Sequence, residues 1–120
     1  MSAILTTEMG TVTYSDDFIG TIAGQTATEC YGVVGMAPAR MTDSIVGVVK
    51  KDNVKKGIRV FTDETNALRI DLNIIVEYGI SIYAAASSII ETVRYNVEKY
   101  TGLTVRDVNI IVSGVRVQDK

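Results

Sequence analysis

The chain has 120 residues, of which 47% are apolar and 22% charged, and a formal net charge of −2. This is enough for one hydrophobic core, and the near-neutral balance gives no overall attraction to nucleic acid or anionic lipid. Histidine is absent and cysteine occurs once, at Cys30, which excludes Ser-His-Asp and Cys-His catalysis, histidine-held metal and any intramolecular disulfide.

In chain order, "GTVTY" (10–14) reads as a short strand of β-branched and aromatic residues. Ser15 then caps a helix with Asp16 and Asp17 in its first turn, where the helix dipole favours carboxylates. Phe18, Ile19, Ile22, Ala23, Ala27 and Cys30 follow at helical spacing, which makes Cys30 a small apolar residue at the helix end. "YGVVGMA" (31–37) reads as a buried strand stopped by Pro38, and "TDSIVGVVKK" (42–51) as a short helix before the turn "DNVKKG". The clearest unit is a hairpin over 57–79: strand "GIRVFT", turn "DETN", strand "ALRIDLNIIVEY". In its second strand Leu68, Ile70, Leu72, Ile74, Val76 and Tyr78 share one face, and Arg69, Asp71, Asn73, Ile75 and Glu77 the other. Ser81 caps a long helix with an apolar stripe of Ile82, Ala86, Ile89, Val93, Val97 and Tyr100, closed by Gly102; Arg94 and Glu98 are spaced to pair. The last strand is "LTVRDVNIIVSGVRV" (103–117), in which Gly114 marks a bulge or bend.

The phrase "DLNIIV" (71–76) returns as "DVNIIV" (107–112). A strand, a helix of about 20 residues and a second strand form a β-α-β unit with parallel strands, and both copies meet the same helix face. Leu72, Ile74 and Val76 then match Val108, Ile110 and Val112 beneath the helix. On the opposite face lie the carboxylates Asp71 and Asp107 and three large apolar residues, Phe61, Ile75 and Ile111. Either a loop or the 42–51 segment covers those three, or they form an interaction patch for self-association or a partner. The two carboxylates admit a metal or acid/base reading, against the ordinary reading of solvated side chains on an open sheet face.

Lys50, Lys51, Lys55, Lys56 and Arg59 form the one basic cluster, either a solvated loop or a surface for anionic lipid, RNA or an acidic partner. "GVVG" (32–35) has the letters of the G-x-x-G loop of nucleic-acid-binding KH domains, which makes a KH-like module using the Lys50–Arg59 cluster the alternative function; two central valines fit a buried strand better. Nucleotide-binding and calcium-loop motifs are absent, and no cofactor or metal is implied. No basic, apolar leader opens the chain, and its most apolar uncharged run, 78–90, is too short to span a bilayer. Membrane contact is therefore expected to be peripheral or through a partner.

The run "SIYAAASSIIETVRYNVEKYTGLTVRDVNIIVSGV" (81–115) resembles the C-terminal half of the alkaline shock protein family of Gram-positive envelope stress response proteins; the opening 10–37 and "GIRVF" also resemble it. The resemblance implies a non-enzymatic cytoplasmic protein of envelope homeostasis, with no catalytic residues to carry over. It further implies self-association into a homo-oligomer and a membrane-anchored or metabolic partner. The fold expected from the residues is one α+β domain over 1–120, with two main helices on one face of a mixed four- or five-stranded sheet, in the order β-α-β-(α)-β-β-α-β.

Overall fold

A computed structural model of the protein describes residues 2–37 and 57–117. The fold is α+β, with two helices, a two-stranded ribbon and a four-stranded sheet. In the ribbon, β1 (Ser2–Thr7) and β2 (Gly10–Ser15) pair antiparallel, from Thr7↔Gly10 at the turn to Ser2↔Ser15. Ala3 is fully buried and Leu5 and Tyr14 pack on the core, while Ile4 and Val12 are exposed. The expected element order is corrected here. The strand at 10–14 pairs with an N-terminal strand that was not foreseen, and this ribbon stands apart from the main sheet. Its Glu8–Met9 turn carries none of the Asn-Gly or Asp-Gly chemistry that announces a tight hairpin.

Ser15 ends β2 and caps α1 (Asp16–Thr28), its hydroxyl accepting the Phe18 N–H at 3.1 Å. Ile19, Ala23 and Ala27 are fully buried, and Gly20 and Gly24 are buried beside them. Phe18, expected on the apolar face, is half-exposed and stacks on Tyr14 with ring centroids 5.8 Å apart.

The main sheet is built around β5 (Leu68–Glu77). Along one of its edges lie β3 (Val33–Met36) and β4 (Ile58–Thr62), both antiparallel to it. β3 covers Ile74–Val76 and β4 covers Leu68–Leu72, so the two run end to end as one interrupted strand. They meet at Asn73, whose carbonyl accepts from Ala37 N–H at 3.0 Å and whose N–H donates to the Gly57 carbonyl at 2.8 Å. A Cβ on Gly57 would collide with the Ala37 carbonyl oxygen, so glycine is what lets the two ends close on one residue. The predicted helix at 42–51 lies outside the described residues.

β4 and β5 are joined by the expected turn at 63–66. The Asp63 carboxylate accepts the N–H of Thr65 at 2.8 Å and of Ala67 at 3.0 Å, and Asn66 takes the left-handed conformation, with φ 66°. Asn66 Oδ1 also accepts the Ile4 N–H at 3.0 Å, which fastens the ribbon to this end of the sheet.

After β5, Ser81 caps α2 (Ile82–Thr101) by accepting the Ala84 N–H, and Gly102 closes it at φ 78° with its N–H on the Glu98 carbonyl. The predicted Arg94–Glu98 pair is not made. Arg94 donates to the Arg106 carbonyl at 3.0 Å and Glu98 accepts the Val105 N–H at 2.9 Å, so both side chains tie α2 to the strand that follows. That strand, β6 (Val105–Arg116), lies parallel to β5 on its other edge, as the doubled phrase required.

One face of β5 carries the core. Leu68, Ile70, Leu72, Ile74 and Val76 are each at most 1% exposed, beneath a layer that includes Ile19, Ala23 and Ala27 of α1 and Ile89, Val93 and Val97 of α2. Each large aliphatic side chain buried there contributes about 1.5–3 kcal/mol. The stripe on α2 is shorter than predicted, because Ile82 and Tyr100 at its ends are 40% and 59% exposed. Tyr78, placed on the core face by alternation, lies beyond the end of β5 and is 70% exposed.

Candidate functional site: the helix-free face of the sheet

The register between β5 and β6 decides which side chains meet on the face away from the helices. Leu68 pairs with Val105, but Arg69 pairs with Asp107, so Arg106 is an extra residue in β6. The doubled phrases are therefore neighbours offset by two residues: Leu72 faces Ile110 and Ile74 faces Val112, while Val108 faces Ile70. Residues that correspond between the two phrases, such as Leu72 and Val108, are both buried without being cross-strand partners. A second register shift follows, with Ile74 on Val112 and Ile75 on Gly114, which is the bulge that Gly114 announced.

The offset separates the two carboxylates. Asp107 lies across from Arg69, and Asp71 lies across from Asn109. Asp71 accepts from Asn109 Nδ2 at 2.8 Å and pairs with Arg69, its Oδ2 3.2 Å from the guanidinium. Burial pulls the Asp71 carboxyl up, but the hydrogen bonds from Arg69 and Asn109, with the charges of Arg69 and Arg59, outweigh it and hold the group below the usual carboxylate value of 3.8. A carboxylate held ionised by three partners is a structural tie and a poor proton shuttle. Asp71 is thus engaged by Arg69 and Asn109, and Asp107 is not its cross-strand partner.

Phe61 faces Arg69 across β4 and β5, and the guanidinium carbon sits 4.3 Å from the ring centroid. Phe61 is 41% exposed and Ile111 43%; Ile75 is half-buried. Ile75 has Gly35 on one side and Gly114 on the other, so it stands in a hollow free of neighbouring side chains within its row. Ile111 lies in the adjacent row, across from Asn73, and is its diagonal neighbour. The structure thus brings Ile75 and Ile111 together and sets Phe61 apart, beyond the Arg59–Asp71–Asn109 row. Beside Phe61 is a shallow depression of 220 Å³, also lined by Arg69, Arg106 and Asp107. Arg106 reaches the Asp63 carboxylate at 2.7 Å there, a role that follows from its being the bulge residue, which sequence reasoning missed.

Of the basic cluster, Lys50, Lys51, Lys55 and Lys56 lie outside the described residues; Arg59 is exposed on β4 across from Asp71. "GVVG" contributes to β3, a strand at the sheet edge with Val34 37% exposed, where a buried strand was expected. Cys30 is half-buried; burial, and then the charge of Glu29, push its thiol up, and its Sγ lies 3.4 Å from the Thr26 carbonyl. Such a thiol is a weak nucleophile. Among the described residues no helix is long and apolar enough to cross a membrane.

Comparison with known proteins finds relatives that cover nearly the whole chain. The chain is 39% identical over 118 residues to the uncharacterized protein YloU of Bacillus subtilis, covering 98% of each chain. It is 34% identical to the uncharacterized protein Spy1614 of Streptococcus pyogenes, over 98% of this chain and 97% of that one. A second Bacillus subtilis protein, the uncharacterized YqhY, is 30% identical over 95% of this chain and 83% of its own. No solved structure matches it significantly. The profile of the alkaline shock protein 23 family, described by a cell envelope-related function, matches residues 5–117, and the chain belongs to that family.

Proposed function

We propose that the protein is a non-enzymatic cytoplasmic component of cell-envelope homeostasis that acts by binding. It associates with itself, and its helix-free sheet face docks a membrane-anchored partner. The observation that carries this reading is the pair Ile75 and Ile111: two large apolar side chains on a face that no described helix covers, with Ile111 43% exposed. Glycines on both sides of Ile75 leave space for a partner's side chain. On the same face Asp71 is held by Arg69 and Asn109, which suits a rigid rim better than a reactive centre. Family membership supplies the envelope context.

Ile75→Asp places a charge in the hollow. With the fold intact by circular dichroism, this variant should recover none of the membrane-fraction protein that the wild type captures from detergent-solubilised cells of the source type. Equal recovery by both would remove the docking role of this face. Capture from the soluble fraction alone would redirect it to a metabolic partner.

A further inference from the structure

Three strands of the main sheet have their hydrogen-bonding edges directed at β5, and β6 is the longest of them. Among the described residues nothing pairs with the outer edge of β6. Its second half is apolar and exposed on both faces: Ile111 is 43% exposed, Val112 38% and Val115 47%, whereas Val108, on the same strand, is 6% exposed. Val112 and Val115 lie across from Ile74 and Val76, which are each 1% exposed. The two valines are thus exposed beside buried partners, at the end of β6 where no described residue covers the far side.

We infer that β6 pairs antiparallel with the β6 of a second copy, across a two-fold axis through Ile111, joining the two sheets into one. The inference rests on the self-association reading above and specifies its surface. With the Gly114 bulge included, β6 presents Asp107, Asn109, Ile111, Gly114 and Arg116 in successive rows of the helix-free face, across from Arg69, Asp71, Asn73, Ile75 and Glu77. An antiparallel partner centred on Ile111 sets Ile111 against its own copy and Asp107 against the second copy's Arg116, twice per dimer. The outermost row then reads Arg69, Asp107, Arg116, Glu77 across the joint, alternating in sign. Neither Asp107 nor Arg116 has an ion-pair partner among the described residues. On the helix side the same register sets Val108 against Val115 and Ile110 against Val112, so the exposed valines find apolar cross-strand partners. Other registers lose this match: a two-fold through Asn109 sets Asp107 against Ile111.

Bulges and charges on an edge are also devices that prevent pairing, so the experiment must separate an adhesive edge from a protected one. Mass is measured by light scattering over a concentration series for the wild type, Asp107→Arg, Arg116→Asp and the double variant. Each single reversal sets like charges against each other twice and should weaken the dimer by about tenfold or more; the double variant should restore it. In a Cys30→Ala background, mild oxidation should link Ile111→Cys into a covalent dimer and leave Ile75→Cys monomeric. A wild type that stays monomeric throughout would overturn both this inference and self-association. A wild-type dimer that both reversals leave intact, and that Ile111→Cys does not link, would overturn the edge pairing alone and assign self-association to another surface.

Discussion

Asp71 shows how one side chain can be read in two ways from sequence. Its position opposite a second carboxylate in the doubled phrase suggests paired acids. With the bulge at Arg106 the partner of Asp71 is Asn109, and a bulge of one residue leaves no mark in a run where every residue is β-compatible. The consequence is measurable. Because the folded carboxyl titrates below its unfolded value near 3.8, its ionised form stabilises the fold above that pH, and this contribution is lost as pH falls through the lower, folded value. Asp71→Asn should therefore lower the urea midpoint at pH 7, and the gap from wild type should close in buffers below about pH 4. A gap independent of pH would show that the carboxylate charge is not what Arg69 and Asn109 hold. Asn66 is a second case: the "DETN" turn was legible, but its bond to Ile4 joins residues 62 apart in the chain and needed the fold.

At the scale of elements, helices and their ends were the most legible parts. Ser15, Ser81 and Gly102 are local signals, since a capping hydroxyl or a left-handed glycine acts within a few residues of itself. Ser81→Ala should cost about 1 kcal/mol, read as a lower urea midpoint with unchanged slope; no shift would mean that the Ala84 N–H is satisfied by another group. Edges were less legible. Val33–Met36 and Ile58–Thr62 look like two strands of a wider sheet, yet they share one side of β5 because Asn73 bonds to both Ala37 and Gly57. Gly57→Ala tests that junction. Its methyl group meets the Ala37 carbonyl, and the overpacking should destabilise by about 1–3 kcal/mol. A neutral result in thermal unfolding would mean that the two strand ends can part without loss.

In the whole molecule, stability should grade outward from the central strand. β5 is bonded on both edges and buried along one face, whereas the ribbon ends in a turn where Met9 is 94% exposed. Amide exchange should then be slowest along Leu68–Val76 and fastest at Glu8–Met9. Equal protection in both would mean that the ribbon opens only with the core.

What the sequence determined by itself was the periodicity: a strand alternating about β5, a 3.6-residue stripe on α2, and the parallel pairing of two nearly identical strands, because hydrophobic burial imposes its period on the chain wherever an element has one covered face. The tertiary structure alone decided the register, the interrupted edge and the ribbon. Each depends on which backbone N–H finds which carbonyl across the sheet, and a side-chain pattern cannot encode that choice once a bulge inserts a residue. The same offset decided the outer face, giving Asp71 the amide of Asn109 as its cross-strand partner and placing Ile111 on a diagonal from Ile75.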